Sequence, residues 1–330
     1  MLIGNPNLAL DRLVTLAEIV PGAVMRSRRT ELSPGGKGVN VARVLRAHGV
    51  RAPLLGLLCD SDGPLLATRL AEEGADLIPV PTPGTVRQAL VFRETGAGRT
   101  TVVNEPGAPV PAAAWQAYRD AAAARLAVGD LFTVSGSLPT GVPVEGYRQL
   151  VELAHSAGAV IVVDAAPAAL AAALPAHPDL VTPNLEEAEA ALTGAPVDVL
   201  PIPDGTDVRD RAEAAARSLV DAGARRAVVT AGAAGSAFAT PERVDWIPTV
   251  AVTLVSAIGA GDAFVGGLAV ELLDRGPASA TRAGWLAAVV RGVATASASC
   301  ETPLAGGVHP ARAAELRGKI EALLPKVGAR

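Results

Sequence analysis

Cysteine is nearly absent: the 330 residues hold two, Cys59 and Cys300. Set so far apart, they fit reduced thiols and exclude a disulfide framework or a cysteine zinc site. Histidine is scarce too, and His48, His155, His177 and His309 show no ligand spacing to one another. A surplus of positive charge is also missing. The formal net charge of −4 gives no general attraction for nucleic acid or an anionic membrane, so any bound phosphate must be held by local groups. No run reaches the roughly 20 apolar residues that span a bilayer, and MLIGNPNLAL lacks the basic start and long apolar stretch of an export signal. These absences predict a soluble, cytoplasmic protein with neither nucleic acid nor membrane as a partner.

Three familiar signatures are missing as well. Pro34-Gly35-Gly36-Lys37-Gly38 lacks the wider G-x-x-x-x-G-K-[ST] spacing, and Val39 stands where Ser or Thr should follow. No G-x-G-x-x-G turn follows the first strand, which removes the dehydrogenase fingerprint. Ser135 in SGSLPTG is not a G-x-S-x-G elbow, and no His or Asp spacing supports a hydrolase triad.

Half of the residues are hydrophobic, enough for a large core. Alanine-rich segments of helical spacing alternate with short β-branched runs, the pattern of an α/β domain with a mostly parallel sheet. DLFTVSG, AVIVVDA, DLVTPN and RAVVTAG are the clearest strands. Their ends (Ser135-Gly136-Ser137, Asp164, Asn184, Gly232) should gather along the carboxyl edge, where such sheets bind ligands. Helices are expected in GVNVARVLRAHG, PAAAWQAYRDAAAARLA, VEGYRQLVELAHSAG, Asn184 to Gly194 and DVRDRAEAAARSLVDAG, several stopping at Gly. VRQALVFRETGAGRTTVVNEPG reads as two strands about Thr95-Gly96-Ala97-Gly98, and with VMRSRRTELS predicts a small sheet able to cover the edge. PVDVLPIPDGTDV reads as a loop. Trp115, Trp246 and Trp285 read as packing anchors.

Five stretches could carry chemistry. In SAIGAGDAFVGGLAVELL, glycines open a helix whose free N–H groups and dipole favour an anion, yet Asp262 adds a negative charge there. Phosphoryl transfer accounts for both, with N–H groups of Ala260 to Asp262 holding the moving charge and Asp262 taking the acceptor's proton. A plain helix start with an acidic first turn is the alternative. In SPGGKGVNVARVL, the glycine turn lets a ligand approach, with Lys37 as donor and Asn40 entering the helix; a turn with a solvated lysine is equally allowed. Asp11 could accept two sugar hydroxyls or serve as an end cap. Arg87 offers a fork for phosphate or a solvated face. Asn184 and Glu187, three apart, could order a water on Mg²⁺ or simply form an N-cap with an acidic first turn.

Taken in order, these motifs resemble the PfkB (ribokinase-like) family of sugar kinases from about Asn5 to about His309. NLALD, PGGKGVNVARVL and SAIGAGDAFVGGL are similar to three of its segments. NVARVL, NEPG, SGSLPTG and the Asn184-x-x-Glu187 pair resemble the 1-phosphofructokinase and tagatose-6-phosphate kinase branch. The resemblance implies one ribokinase-like three-layer α/β/α domain over 1–330, with a β lid from roughly 12–34 and 85–106. It implies Asp11, Gly35, Gly36, Lys37 and Asn40 at the sugar, and Arg87 at the substrate's own phosphate. Asp262 would be the base, with Gly259, Ala260 and Gly261 as the anion hole. Asn184, Thr230, Gly232, Gly235, Gly259 and Gly261 would meet ATP, beside the Ala294–Cys300 helix, and Glu187 would reach Mg²⁺ through water. Fructose 1-phosphate is the first expected acceptor, then tagatose 6-phosphate or fructose 6-phosphate; a homodimer through the lid is expected. The chain departs from the branch at Thr182, where Lys is usual, and in the run VRQALVF, which lacks a Lys. A kinase of unphosphorylated sugars or nucleosides, and a catalytically silent sensor, are the other readings.

Overall fold

The computed structural model describes residues 1–195, 208–277 and 280–324. Its large sheet has nine strands. In chain order these are β1 (Leu2–Asn5), β4 (Pro53–Cys59), β5 (Asp76–Thr82), β8 (Leu131–Gly136), β9 (Val160–Ala165), β10 (Leu180–Val181), β11 (Ala227–Thr230), β12 (Ser236–Ala239) and β13 (Val244–Ile247). Across the sheet they run β13-β12-β11-β10-β9-β8-β1-β4-β5, all in one direction except β12, which pairs antiparallel with both β11 and β13 near one edge. A separate sheet, β3-β2-β6-β7, is made of β2 (Ala9–Leu16), β3 (Arg29–Gly35), β6 (Arg87–Glu94) and β7 (Arg99–Asn104).

Both faces of the large sheet are buried, which explains why its strands are apolar throughout rather than alternating. In β9, Val160 and Val162 join one core while Ile161 and Val163 join the other. One core is covered by α3 (Ala112–Ala123), α4 (Gly146–Ser156), α5 (Pro167–Ala173), α6 (Leu185–Thr193) and α7 (Val208–Asp221), with Trp115 stacked on Tyr118 at 5.2 Å. The other is covered by α1 (Lys37–Ala47), α2 (Gly63–Glu72), α8 (Ala260–Arg275), α9 (Arg282–Ser299) and α10 (Pro310–Leu323), around Phe264 and Trp285. Three layers result. Trp115 and Trp285 are buried anchors as expected, whereas Trp246 is half-buried under Arg209. Among the described residues no helix is long and apolar enough to cross a membrane.

Two strand expectations need correction. DLVTPN shrinks to Leu180–Val181, because Pro183 has no N–H for a ladder and Asn184 turns out to cap α6. DLIPVPT, not anticipated as a strand, forms β5; Pro79 and Pro81 are tolerated because β5 lies at the sheet's edge. Most of PVDVLPIPDGTDV lies outside the described residues.

The apolar stripe of α8 carries glycines for a packing reason. A Cβ on Gly266 would sit 2.6 Å from Val44, on Gly267 2.3 Å from Thr295, and on Gly292 of α9 2.8 Å from Phe264 and 2.9 Å from its carbonyl oxygen. Close approach of α1, α8 and α9 requires all three. Gly318 of α10 has open space around its missing side chain. Replacing Gly292 with Ala should therefore lower stability by about 1–3 kcal/mol through overpacking, while Gly318→Ala should raise it by up to ~1 kcal/mol through helix propensity. Chemical denaturation of both variants checks the opposite signs.

Candidate active site

The carboxyl ends of β1, β8 and β9 meet the first turns of α1 and α8, and a cleft of about 660 Å³ opens there. Its lining brings together Asp11, Gly36, Lys37, Asn40, Arg87, Glu187, Gly259 and Asp262, residues more than 250 positions apart at the extremes. Gly35, Ala260 and Gly261 sit beside these in the two glycine turns. Thr230, Gly232 and Gly235 do not line this cleft; Thr230 ends β11 and the two glycines follow it, and β11 joins the Asn184 turn through a parallel bridge between Asn184 and Thr230.

Each glycine turn is shaped by a close neighbour. Gly36 begins α1 at φ 115°, and a Cβ there would lie 2.7 Å from Asn5 Oδ1, which accepts the Gly38 N–H at 2.6 Å. A Cβ on Gly35 would strike the Asp11 carboxylate. Gly259 begins α8 at φ 80°, with Ala305 2.9 Å from the position of a Cβ. The stretch expected to form an anion hole offers one N–H fewer: the Ala260 N–H is taken by the Ala257 carbonyl at 3.2 Å, because the turn into α8 closes there. The N–H groups of Gly261 and Asp262 have no acceptor among the described residues, as at any helix start.

Asp262 is 5 % exposed. Its Oδ2 accepts the Asn40 amide Nδ2 at 2.7 Å. Burial lifts its carboxyl to about 7; Lys37 and the Asn40 hydrogen bond pull it down, while Asp164 and Glu187 push it further up. Lys37 lies on the cleft wall with Nζ 3.0 Å from Asp164 Oδ1 and 3.7 Å from Glu187 Oε1. Burial opposes the lysine's charge, but Asp164, Glu187 and Asp262 outweigh it and hold the ammonium well above its usual value. This end of the cleft is a charged cluster of three carboxylates around one cation.

Asp11, on β2, is raised by burial against the attraction of Arg43 and Arg87. Arg87, at the start of β6, donates from Nε and Nη2 to the Asn7 carbonyl at 3.3 and 3.1 Å, and burial lowers its guanidinium. Of the two Asn184 readings, the structure shows the cap. The Glu187 N–H donates to Asn184 Oδ1 at 2.8 Å, and the Asn184 N–H to Glu187 Oε2 at 3.0 Å, a full capping box. Glu187 Oε1 remains turned toward Lys37, and burial raises the carboxyl against the lysine's pull.

No group of three or more His, Cys, Asp or Glu side chains placed to hold a metal occurs among the described residues. Mg²⁺ needs less, since it keeps several waters and combines one or two carboxylates with nucleotide phosphates. Glu187 Oε1 and Asp164 Oδ2, the latter buried without a hydrogen-bond partner among the described residues, fit that role.

Asn7, whose Nδ2 donates to Ser137 Oγ at 2.9 Å, and Asn104 and Glu105, which also line the cleft, stand in the NLALD and NEPG segments but were given no role of their own. Neither was Arg43, which holds Asn40 and lies within NVARVL. Asp164 was expected at the edge as a strand end, but its pairing with Lys37 had no local signal, being 127 residues away.

Comparison with known proteins gives a consistent picture. The model of the pfkB family carbohydrate kinases matches residues 3–312. The chain is 35 % identical to a 1-phosphofructokinase of Xanthomonas campestris, covering 81 % of this chain and 82 % of the relative. It is 29 % identical to a D-tagatose-1-phosphate kinase of Klebsiella oxytoca, covering 82 % and 84 %. The structure of phosphofructokinase-2 from Escherichia coli in complex with potassium superposes with a TM-score of 0.83 at 27 % identity, covering 97 % of this chain and 99 % of that one. With three sequence signatures, a ribokinase-like fold and a family match over nearly its whole length, the chain belongs to the pfkB family of carbohydrate kinases.

Proposed function

We propose that this kinase transfers the γ-phosphoryl group of ATP to a hydroxyl of a phosphorylated ketohexose, fructose 1-phosphate before tagatose 6-phosphate or fructose 6-phosphate. The observation that carries the reading is Asp262: a buried carboxyl lifted to about 7, at the mouth of two free helix N–H groups. A base poised near neutrality takes the proton of the attacking hydroxyl at physiological pH. The N–H groups of Gly261 and Asp262 stabilise charge on the transferring group.

The sugar would lie between Asp11, Gly35, Gly36 and Asn40, with Lys37 donating to its oxygens. Arg87 would meet the acceptor's own phosphate; its fork gives up only a carbonyl contact to do so. ATP would extend past Asn184 toward Thr230, Gly232 and Gly235. Mg²⁺ held with its waters by Glu187 and Asp164 would neutralise phosphate charge. The sheet β3-β2-β6-β7 would act as a lid, since Asp11, Arg87 and Asn104 reach the cleft from it. A homodimer through this sheet is supported by exposed Val103, 51 % accessible on β7; sedimentation showing a monomer at micromolar concentration would contradict it.

A kinase of unphosphorylated sugars is the second reading, favoured by Thr182, whose buried Oγ1 finds no partner among the described residues where the branch usually has Lys. One experiment separates them: ADP release with Mg·ATP across the three ketohexose phosphates, free fructose and ribose, in the native chain, Asp262→Asn and Arg87→Ala. The proposal expects a clear preference for a sugar phosphate. It expects Asp262→Asn to lose on the order of 10²-fold or more in kcat while still binding ATP, and Arg87→Ala to raise KM chiefly for phosphorylated sugars. Preference for a free sugar, or near-normal turnover in Asp262→Asn, would overturn the acceptor or the base respectively.

A further inference from the structure

A buried arginine stands behind the base. Arg43, on the third turn-face position after Asn40 in α1, is 7 % exposed and has hydrogen bonds from all three of its guanidinium nitrogens. Nη1 donates to Asn40 Oδ1 at 2.8 Å and to the Ala305 carbonyl at 3.3 Å; Nη2 donates to the Pro34 carbonyl at 2.7 Å. Nε and Nη2 form a two-point pair with Glu73 at 2.7 and 2.8 Å, just beyond the end of α2. The guanidinium thus links the strand end before the first glycine turn, the helix that carries Asn40, and the loop bearing Ala305. That loop packs on Gly259: Ala305 and Gly306 are what a Cβ on Gly259 would meet.

An asparagine amide has an acceptor end and a donor end, and nothing intrinsic tells it which to turn toward a carboxylate. Arg43 supplies the distinction. Because its Nη1 occupies Asn40 Oδ1, the Nδ2 end must face Asp262, where it donates to Oδ2 at 2.7 Å. Were the amide reversed, two oxygens would meet and the ionised base would lose its donor.

We propose that Arg43 is a positioning residue for this kinase, fixing the Asn40 amide so that Asp262 is held as an oriented, ionisable base, with Glu73 holding the guanidinium in place. The inference rests on the base role of Asp262. Arg43 does not line the acceptor cleft; it forms one wall of a separate cavity of about 370 Å³, lined also by Arg46, Arg51, Glu73 and Asp76. Small solutes can therefore approach the guanidinium position from the side away from the substrate. Lysine cannot replace the fork, since a single ammonium cannot span Asn40, Pro34 and Glu73 in one plane.

The test uses Arg43→Lys and Arg43→Ala in the full chain, with native-like unfolding curves required of whichever is assayed. Either variant should lower kcat by roughly 10- to 100-fold, leave ATP affinity unchanged, and move the acid limb of the kcat profile upward by about one pH unit as the donor to Asp262 is lost. Guanidinium chloride at millimolar concentration should restore part of the activity of Arg43→Ala and return the acid limb toward its native position, with no such gain for Asn40→Ala, where the amide to be oriented is gone. An unmoved acid limb, or no response to guanidinium in a folded Arg43→Ala, overturns the proposal and leaves Arg43 as a packing element. Failure of the underlying reading looks different, because Asp262→Asn would then retain turnover.

Discussion

The proposed chemistry depends on keeping one carboxylate, Asp262, out of water. Burial costs the charged form, and here it wins: the carboxyl rises from 3.8 to about 7 although Lys37 and Asn40 both favour ionisation. The consequence for stability has a definite sign. Between those two values the folded chain holds a proton that the unfolded chain releases, so this group favours folding fully below about pH 4 and loses that contribution as pH rises through 7. Stability is therefore lowest, as far as Asp262 is concerned, where its carboxyl is ionised, the state the proposed base role requires. A site tuned for chemistry carries such a penalty, and the surrounding packing must offset it.

The surrounding packing does so through glycine. Gly266, Gly267 and Gly292 let α1, α8 and α9 approach closely, and Asp262 is 5 % exposed in the first turn of α8. The same helices bring Asn40 and Asp262, 222 residues apart, within hydrogen-bond range. On the other side of the cleft Lys37 gathers Asp164 and Glu187, so that one cation moderates three carboxylates. Removing Lys37's charge would leave three negative groups to repel one another in a partly dry space, so the lysine serves the site's charge balance as well as the donor role proposed for it.

The fold was legible where local chemistry is strong. The apolar strands from Leu131 to Thr230, the Gly-terminated helices and the hairpin at Thr95–Gly98 all show in composition and period. β5 was hidden by Pro79 and Pro81, residues excluded from central strands but harmless at an edge that only the topology reveals. The two glycine turns announced themselves, because a positive φ or a close neighbour demands glycine at Gly36 and Gly259. Arg43 was invisible as a functional residue, since an arginine four residues from an alanine in an amphipathic helix is usually solvated. Its burial follows only from tertiary contacts with Glu73 and Ala305. Likewise the engagement of the Ala260 N–H by Ala257 is a matter of backbone closure that no side chain encodes.

The most direct test of the central claim is the titration of the Asp262 carboxyl itself, followed by carbon-13 resonances of aspartate-labelled protein compared with Asp262→Asn. The account predicts a carboxyl that titrates near pH 7 in the native chain and is missing from the variant. Aspartates that all titrate below about pH 5, in the ordinary range of that side chain, would contradict it.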